Sequence, residues 1–412
     1  MERQHAHWKK RAGLFMVSQN ISLFGSSIVG FAIMWYITLQ TSSGVWMMLS
    51  TLASTLPQVL ISLFGGVWAD RYNRKMLIMA ADAFIAIATL GLAISFLLGW
   101  QRLELLLLVS AVRSLGQGIQ TPAVNALYPQ LVPEAHLTKV QGINQSISSV
   151  LMLLSPAVGG MLLGTVGIVW AFFVDVITAT LAIGVMALIP VRRQKNLDAQ
   201  PATLMKDVKK GLRYTFSHRE LRRIILCYMA AFFLITPAAV LSPLMVERTF
   251  GSEVWRLTAN EMVWTVGSLL GGIFLSIKGA FRDKIRVVAI CLVAFGITFG
   301  LLGVAGSFFV FLLLMGIAGV FMPIIATVQT VYIQEITAPA VLGRVFSIVQ
   351  IISAGAIPVA ILFFGPLADM VPVEGILLVT GILLSLVGIW YGWARGKHLS
   401  TGVDAPTENP PT

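Results

Sequence analysis

Four ionisable side chains stand inside long apolar runs of this sequence: Asp82, Arg113, Asp175 and Glu261. A charge at the centre of a lipid-embedded helix costs about 2.5–3.5 kcal/mol on insertion scales, so such a residue faces a cavity and finds a partner. A carboxylate that alternates between protonated and ionised forms in a low-dielectric cavity carries protons. Asp175 and Glu261 suit that chemistry best. Asp82 stands nearer one end of its run and is expected to pair with Arg74 or Arg71. Arg113 lies near the middle of its run, where it either faces a cavity with a partner or forms an ion pair that holds helices together. Around these charges the apolar runs also carry Gln19, Asn20, Gln117, Gln120, Asn144, Gln329 and Gln350, and the aromatic Phe31, Trp35, Tyr228, Phe232, Phe233, Trp264 and Tyr332. Aromatic walls with a few polar groups are what large apolar ligands need, although most such rings in a membrane protein face lipid or neighbouring helices.

The elements that position these residues are membrane helices. Of the 412 residues 57% are hydrophobic and 11% charged, against about 25% charged in globular proteins. A hydrocarbon core of about 30 Å takes roughly 20 apolar residues. Twelve segments qualify, at about 12–38, 46–69, 76–98, 103–125, 140–164, 168–190, 222–246, 257–278, 285–304, 307–330, 341–366 and 373–395. Short connections make neighbours antiparallel. The expected fold class is therefore all-α and membrane-embedded, with one bundle of six spans over residues 1–190, a linker over 191–221, a second bundle over 222–396 and a disordered tail over 397–412. In the linker, Thr203 caps an expected amphipathic helix whose apolar face is Leu204, Val208, Leu212 and Phe216, either a helix lying on anionic lipid or an ordinary solvated linker helix.

Charge sets the expected orientation. With the N-terminus inside, the inner segments collect nearly all of the basic residues, among them Lys9, Lys10, Arg71, Arg74, Lys75, Lys139, the cluster from Arg192 to Arg223, Lys278, Lys284 and Arg344. The outer loops hold only Arg102, Arg248 and Arg256. This is the positive-inside pattern. It accounts for a net charge of +11 without nucleic acid as a partner. Both termini are expected in the cytoplasm. The N-terminus lacks a small-residue cleavage site, so no removable leader is expected. The histidines His5, His7, His136, His218 and His398 all fall outside the apolar runs, which argues against a metal site. Cys227 and Cys291 read as buried thiols. No phosphate-binding loop, nucleophile elbow or other enzyme motif is present, so neither ATP nor another cofactor is implied.

The most specific pattern is Gly65-Gly66-Val67-Trp68-Ala69-Asp70-Arg71-Tyr72-Asn73-Arg74-Lys75, between the second and third spans. It resembles the cytoplasmic motif of the major facilitator superfamily, with Asn73 where that family often has Gly. Gly66 is expected to let two helices approach closely. The resemblance implies that Gly66, Asp70, Arg71 and Arg74 form a latch with the start of the eleventh span, near Gly343 and Arg344. It also implies two pseudo-symmetric halves, in keeping with the recurrence of Gly65-Gly66 as Gly271-Gly272, with the substrate site between them. Arg113-Ser114-Leu115-Gly116-Gln117-Gly118 is similar to the fourth-span motif linked to proton coupling. Ser155-Pro156-Ala157-Val158-Gly159-Gly160 resembles the fifth-span motif of proton-driven exporters, with Ser155 for the first Gly.

The runs from Val112 to Gly116, Thr121 to Ala126 and Leu131 to Glu134 narrow the resemblance to the macrolide-efflux branch, on ground shared with siderophore exporters. It implies a monomeric antiporter of a bacterial cell membrane that ejects bulky amphipathic small molecules in exchange for protons by alternating access. Export of a native metabolite such as a siderophore, and a non-transporting lipid-flipping or assembly role on the same scaffold, are the alternatives.

Overall fold

Side-chain oxygens mark where several helices begin. Ser43, Asn73, Asp283 and Ser307 each accept a hydrogen bond from a backbone N–H of the first turn that follows, the role for which short polar residues are preferred. The computed structural model describes residues 8–191, 213–279, 281–337 and 339–399, and leaves aside some side chains within them, including those of Asp70, Gly343 and Arg344. Twelve long helices run through these residues: α1 Trp8–Thr41, α2 Gly44–Arg71, α3 Arg74–Leu97, α4 Leu103–Leu131, α5 Glu134–Thr165, α6 Ile168–Ala187, α7 Arg219–Phe250, α8 Val254–Lys278, α9 Lys284–Leu302, α10 Phe308–Ile336, α11 Pro339–Met370 and α12 Val373–Leu399.

Eleven of them are long and apolar enough to cross a bilayer unaided. The exception is α4, which carries Arg113, Gln117, Gln120 and two prolines. Several helices exceed their expected spans. At about 1.5 Å per residue, the 34 residues of α1 reach about 51 Å, well past a hydrocarbon core of about 30 Å. The linker helix expected from Thr203 and the tail beyond Leu399 lie outside the described residues, apart from a helical turn over 213–217.

The helices pack as two units. The first comprises Met1–Thr203, Thr236–Val266 and Ile357–Val373; the second comprises Leu204–Ile235, Gly267–Ala356 and Glu374–Thr412. In the first unit α2 lies along α4, α1 lies between α5 and α6, and α3 touches both α4 and α6. Its core has two apolar clusters. One gathers Phe15, Ile78, Leu127, Tyr128 and Met186. The other gathers Ile28, Ile37, Phe96, Leu106 and Phe172. Along each of α1, α3, α4 and α6 a polar stretch falls between these clusters, and the candidate site is built there.

Glycines set the closest approaches. A methyl group at Gly65 would lie 2.6 Å from the Gly118 carbonyl oxygen and 2.9 Å from Pro122, whereas Gly66 faces open space. The close contact expected of Gly66 is thus made by its neighbour. In the second unit the counterpart Gly271 lies against Val320 and Pro323 of α10, with Gly272 open.

Candidate functional site

Every fourth residue of α1 from Ser18 to Ser26 is a serine, and each hydroxyl bonds to a different place across the bundle. Ser18 donates to the Ala182 carbonyl of α6 at 2.8 Å, Ser22 to Asp82 of α3 at 2.7 Å and Ser26 to Asp175 of α6 at 3.2 Å. One helical turn separates the three, so α1 presents a ladder of hydroxyls to α3 and α6.

Arg113 of α4 and Asp175 of α6 form a buried ion pair at the top of this ladder, 5% and 1% exposed. The guanidinium also donates to the Thr89 hydroxyl and, at 3.4 Å, to the Ser26 carbonyl. Thr89 Oγ1 lies 2.9 Å from both Asp175 Oδ2 and the Ile85 carbonyl, and its single proton serves one of them at a time. Four helices therefore meet on one buried pair. Replacing one member of such a pair leaves an uncompensated charge, at a cost of about 3–5 kcal/mol.

Two turns along α3, Asp82 is equally buried. Ser22 and the Gln120 amide both donate to its Oδ1, each at 2.7 Å, while Oδ2 is buried and meets no partner among the described residues. The pairing with Arg74 or Arg71 expected from the sequence is not formed. Arg74 instead donates to the Ala69 carbonyl at 2.9 Å and the Ala126 carbonyl at 2.7 Å, tying the start of α3 to α2 and α4. The reason is local: the short α2–α3 turn aims Arg74 at a carbonyl near the end of α2 and at one in the last turns of α4. Lys75 does the same for α6, donating to Ala187 and Ile189 at 2.8 Å each. Asn73 caps α3 through Lys75 N at 3.0 Å, which gives a physical use for Asn at that point of the motif. Arg71 is exposed. The side chains of Asp70, Gly343 and Arg344, and hence the expected latch, lie outside the described residues.

Two cavities open beside the charges. One, of about 280 Å³, is bordered by Arg113, Ser110, Ser50, Thr51, Phe31 and Gln117. The other, of about 420 Å³, is bordered by Gln19, Asn20, Gln58, Gln120, Asn144 and Tyr128. They share Ser26, Ser27 and Gln117. Asn20 donates to Asn144 at 2.9 Å and accepts from Ser148 at 3.1 Å, and the buried Tyr128 hydroxyl is unpartnered among the described residues. The rings of Phe31 and Trp35 meet at a tilt of 38°, with centroids 5.6 Å apart. Gln19, Asn20, Phe31, Gln117, Gln120 and Asn144, expected from the sequence as cavity residues, thus border one or both of these cavities.

The remaining candidates are placed elsewhere. In the second unit Tyr228 and Phe232 stack at 5.6 Å, Gln329 is buried with its amide nitrogen unpartnered among the described residues, Tyr332 donates to Glu220 at 3.5 Å, and Gln350 is exposed. In α8, Glu261 and Trp264 are half-buried, and the Glu261 carboxylate has no ion pair among the described residues. In α5, Ser155 donates to the Leu151 carbonyl at 2.7 Å, and the helix continues through Pro156. A methyl group at Gly159 would come within 3.3 Å of the Ile28 carbonyl, and one at Gly160 would collide with Thr258 and approach Trp35. The Ser-Pro-x-x-Gly-Gly run is therefore a packing face turned to α1 and α8.

Sequence reasoning missed a second cluster, at the opposite end of α2. Asp369, near the end of α11, accepts from Ser43 Oγ at 2.7 Å, Gly44 N at 2.6 Å and Val45 N at 3.0 Å, and pairs with Arg248 of α7 at 2.9 Å. Arg248 also donates to the Ser42 and Ala368 carbonyls at 2.6 Å each, and Ser42 donates to Glu247 at 2.5 Å. Beneath them Gly44 and Gly365 touch: a methyl group at Gly365 would lie 2.9 Å from the Gly44 carbonyl. The signals available in the sequence were a carboxylate and an arginine at helix ends, with nothing to join them.

The sequence profile of a family described as "Transmembrane secretion effector", a branch of the major facilitators, matches residues 11–399. The chain belongs to this family. "Macrolide efflux protein A" of Streptococcus pyogenes is 29% identical to it over 394 residues, covering 94% of this chain and 96% of that protein. The protein of the same name from Enterococcus faecalis is 30% identical over 319 residues, covering 76% and 97%. "Multidrug efflux pump Tap" of Mycolicibacterium fortuitum is 22% identical over 380 residues, covering 89% and 91%. Among solved structures, a bacterial homologue of the iron transporter ferroportin superposes with a TM-score of 0.73 at 14% identity, covering 93% of this chain and 98% of that one. A D-xylose–proton symporter gives 0.69 at 16% identity, covering 92% and 96%. The chain thus has the major facilitator fold and is a multi-pass membrane transporter, a kind of protein that is generally not an enzyme.

Proposed function

We propose that this transporter exports bulky amphipathic small molecules, macrolide-type antibiotics among them, in exchange for protons. The observation that carries the reading is the buried Arg113–Asp175 pair, whose arginine borders a cavity of mixed hydroxyl and apolar lining, in a chain whose relatives are named as efflux proteins. A proton taken up by the Asp175 carboxylate removes its charge. Arg113 then loses its counter-ion and is drawn toward the cavity; loss of the proton restores the pair. Asp82 and Glu261 are the other carboxylates able to take part. The cavity residues around Gln117 and Asn144 offer hydrogen bonds and Phe31 offers apolar surface, which suits a ligand with both characters, whereas Trp35, expected beside it, is fully buried and borders neither cavity.

The basic helix ends at Arg71, Arg74 and Lys75 support placing that side in the cytoplasm, with both termini there and the Asp369 cluster outside. Alternating access then opposes two latches: the one implied by Gly66, Asp70, Arg71 and Arg74 with Gly343 and Arg344 inside, and the Asp369–Arg248 cluster outside. The protein works as a monomer in the bacterial cell membrane. The test uses everted vesicles with a pH indicator. Adding a macrolide to respiring vesicles should dissipate part of the proton gradient, and Arg113→Ala and Asp175→Asn should abolish this. Drug movement that persists unchanged when the gradient is collapsed would refute the coupling.

A further inference from the structure

Between α9 and α12 a groove of about 720 Å³ runs along the second unit, lined by none of the residues that border the two cavities described above. Its floor is the seam of Ala289 and Val293 with Gly388 and Gly392. A methyl group at Gly388 would lie 2.9 Å from the Ala289 carbonyl oxygen, and one at Gly392 would lie 3.1 Å from the Ala289 side chain. Its walls are Ile290, Ile297 and Ile389, each more than half exposed. At one end stand Asp283 and Arg286.

Three observations say what fits. From Arg286 to Ile297 is eleven residues of α9, or about 16 Å at 1.5 Å each, close to one leaflet of a hydrocarbon core of about 30 Å. The groove is apolar along that whole length and charged only at its end. There, Asp283 caps α9 by accepting from Arg286 N at 3.0 Å, and Lys284 pairs with Glu335 at 2.9 Å. Arg286 is exposed, and its guanidinium has no hydrogen-bond or ion-pair partner among the described residues. An exposed arginine with no partner among the described residues, at the mouth of a leaflet-long apolar groove, calls for an anion attached to a hydrocarbon chain.

We propose that this groove binds an anionic glycerophospholipid, with its phosphate on Arg286 and one acyl chain along Ala289, Val293, Gly388 and Gly392. The site is independent of the proposed transport cycle and rests only on the protein being in a bilayer. A basic residue near a membrane surface contributes about 1 kcal/mol toward anionic lipid, a factor of about five in binding.

Native mass spectrometry of the full-length protein, with phosphatidylglycerol or phosphatidylcholine added to the detergent, tests this. The wild-type protein should retain phosphatidylglycerol about fivefold better than phosphatidylcholine. Arg286→Gln should remove that preference and Arg286→Lys should keep most of it. Ala294→Phe, which fills the groove from the lipid side, should reduce retention of both lipids. An unchanged preference in Arg286→Gln overturns the proposal, as does full retention in Ala294→Phe. A dimer that disappears in Ala294→Phe would make the groove an interface between copies, and a macrolide that displaces the lipid one for one would make it a drug site. Either result overturns the lipid assignment.

Discussion

The cost of burying a charge makes Arg113 and Asp175 conspicuous in the sequence, but only the fold makes them partners, because 62 residues separate them. The hydroxyls that complete the site had no such signal. Ser and Thr in apolar helices most often bond back to their own helix, as Thr38 does to Met34 and Thr41 to Ile37. Nothing in sequence separates those from Ser22, Ser26 and Thr89, which bond across the bundle. Asp82 was read as a partner of arginine because arginines are near it in sequence, whereas the turn aims them elsewhere. If the Arg113–Asp175 pair were only a brace, an apolar replacement of both members would serve as well, since such swaps are often neutral or stabilising. Asp175→Asn alone is expected to lower stability by about 3–5 kcal/mol through the stranded arginine, seen as a lower thermal midpoint. The double variant Arg113→Met with Asp175→Leu is expected to regain most of that midpoint and still fail to exchange protons for drug. Recovery of transport in the double variant would reduce the pair to scaffolding.

At the scale of helices, the number of elements and their order were legible because twelve apolar runs with short links leave few alternatives. Helix ends were not legible, since a helix held by its neighbours continues past the hydrocarbon: α4 was expected to stop near residue 125 and runs to Leu131. The Asp369 cluster escaped for the same reason. Residues 42–45, 247–248 and 369 fall between or at the edges of the expected spans, where no pattern joins them, yet they close one end of α2 against α7 and α11. Arg248 and Asp369 are each about 30% exposed, so the pair contributes under about 1 kcal/mol to stability. An energy that small is enough to shift a balanced two-state equilibrium several-fold. In a background without Cys227 and Cys291, a cysteine replacing Ser50, which is buried and borders the smaller cavity, should react slowly with a membrane-impermeant maleimide. Asp369→Asn or Arg248→Gln should speed that reaction several-fold while leaving the thermal midpoint nearly unchanged. Identical rates would mean that this cluster does not govern access. The glycine contacts give a harsher test: Gly160→Val drives a side chain into Thr258 and Trp35, and loss of transport in well-folded protein is expected.

Direction of transport is a property of the whole molecule, because an exchanger of protons for drug exports only if its basic helix ends face the cytoplasm. The charge asymmetry that argues for this is a sequence property: Arg71, Arg74 and Lys75 gather at the α2–α3 turn and Lys278, Arg282 and Lys284 at the α8–α9 turn, while the α3–α4 turn holds Arg102. The fold adds a reason for the asymmetry beyond topogenesis, since Arg74 and Lys75 donate to carbonyls in or just beyond the last turns of three other helices and so brace the side on which they sit. Tyr72 and Arg102 are both exposed and lie at opposite ends of α3. In a background without Cys227 and Cys291, Arg102→Cys is therefore expected to react with an impermeant maleimide in intact cells, and Tyr72→Cys only after the membrane is opened. The reverse pattern would put the braced, basic side outside. The same proton gradient would then drive uptake instead of efflux, and the assignment of the Asp369 cluster to the outer face would invert with it.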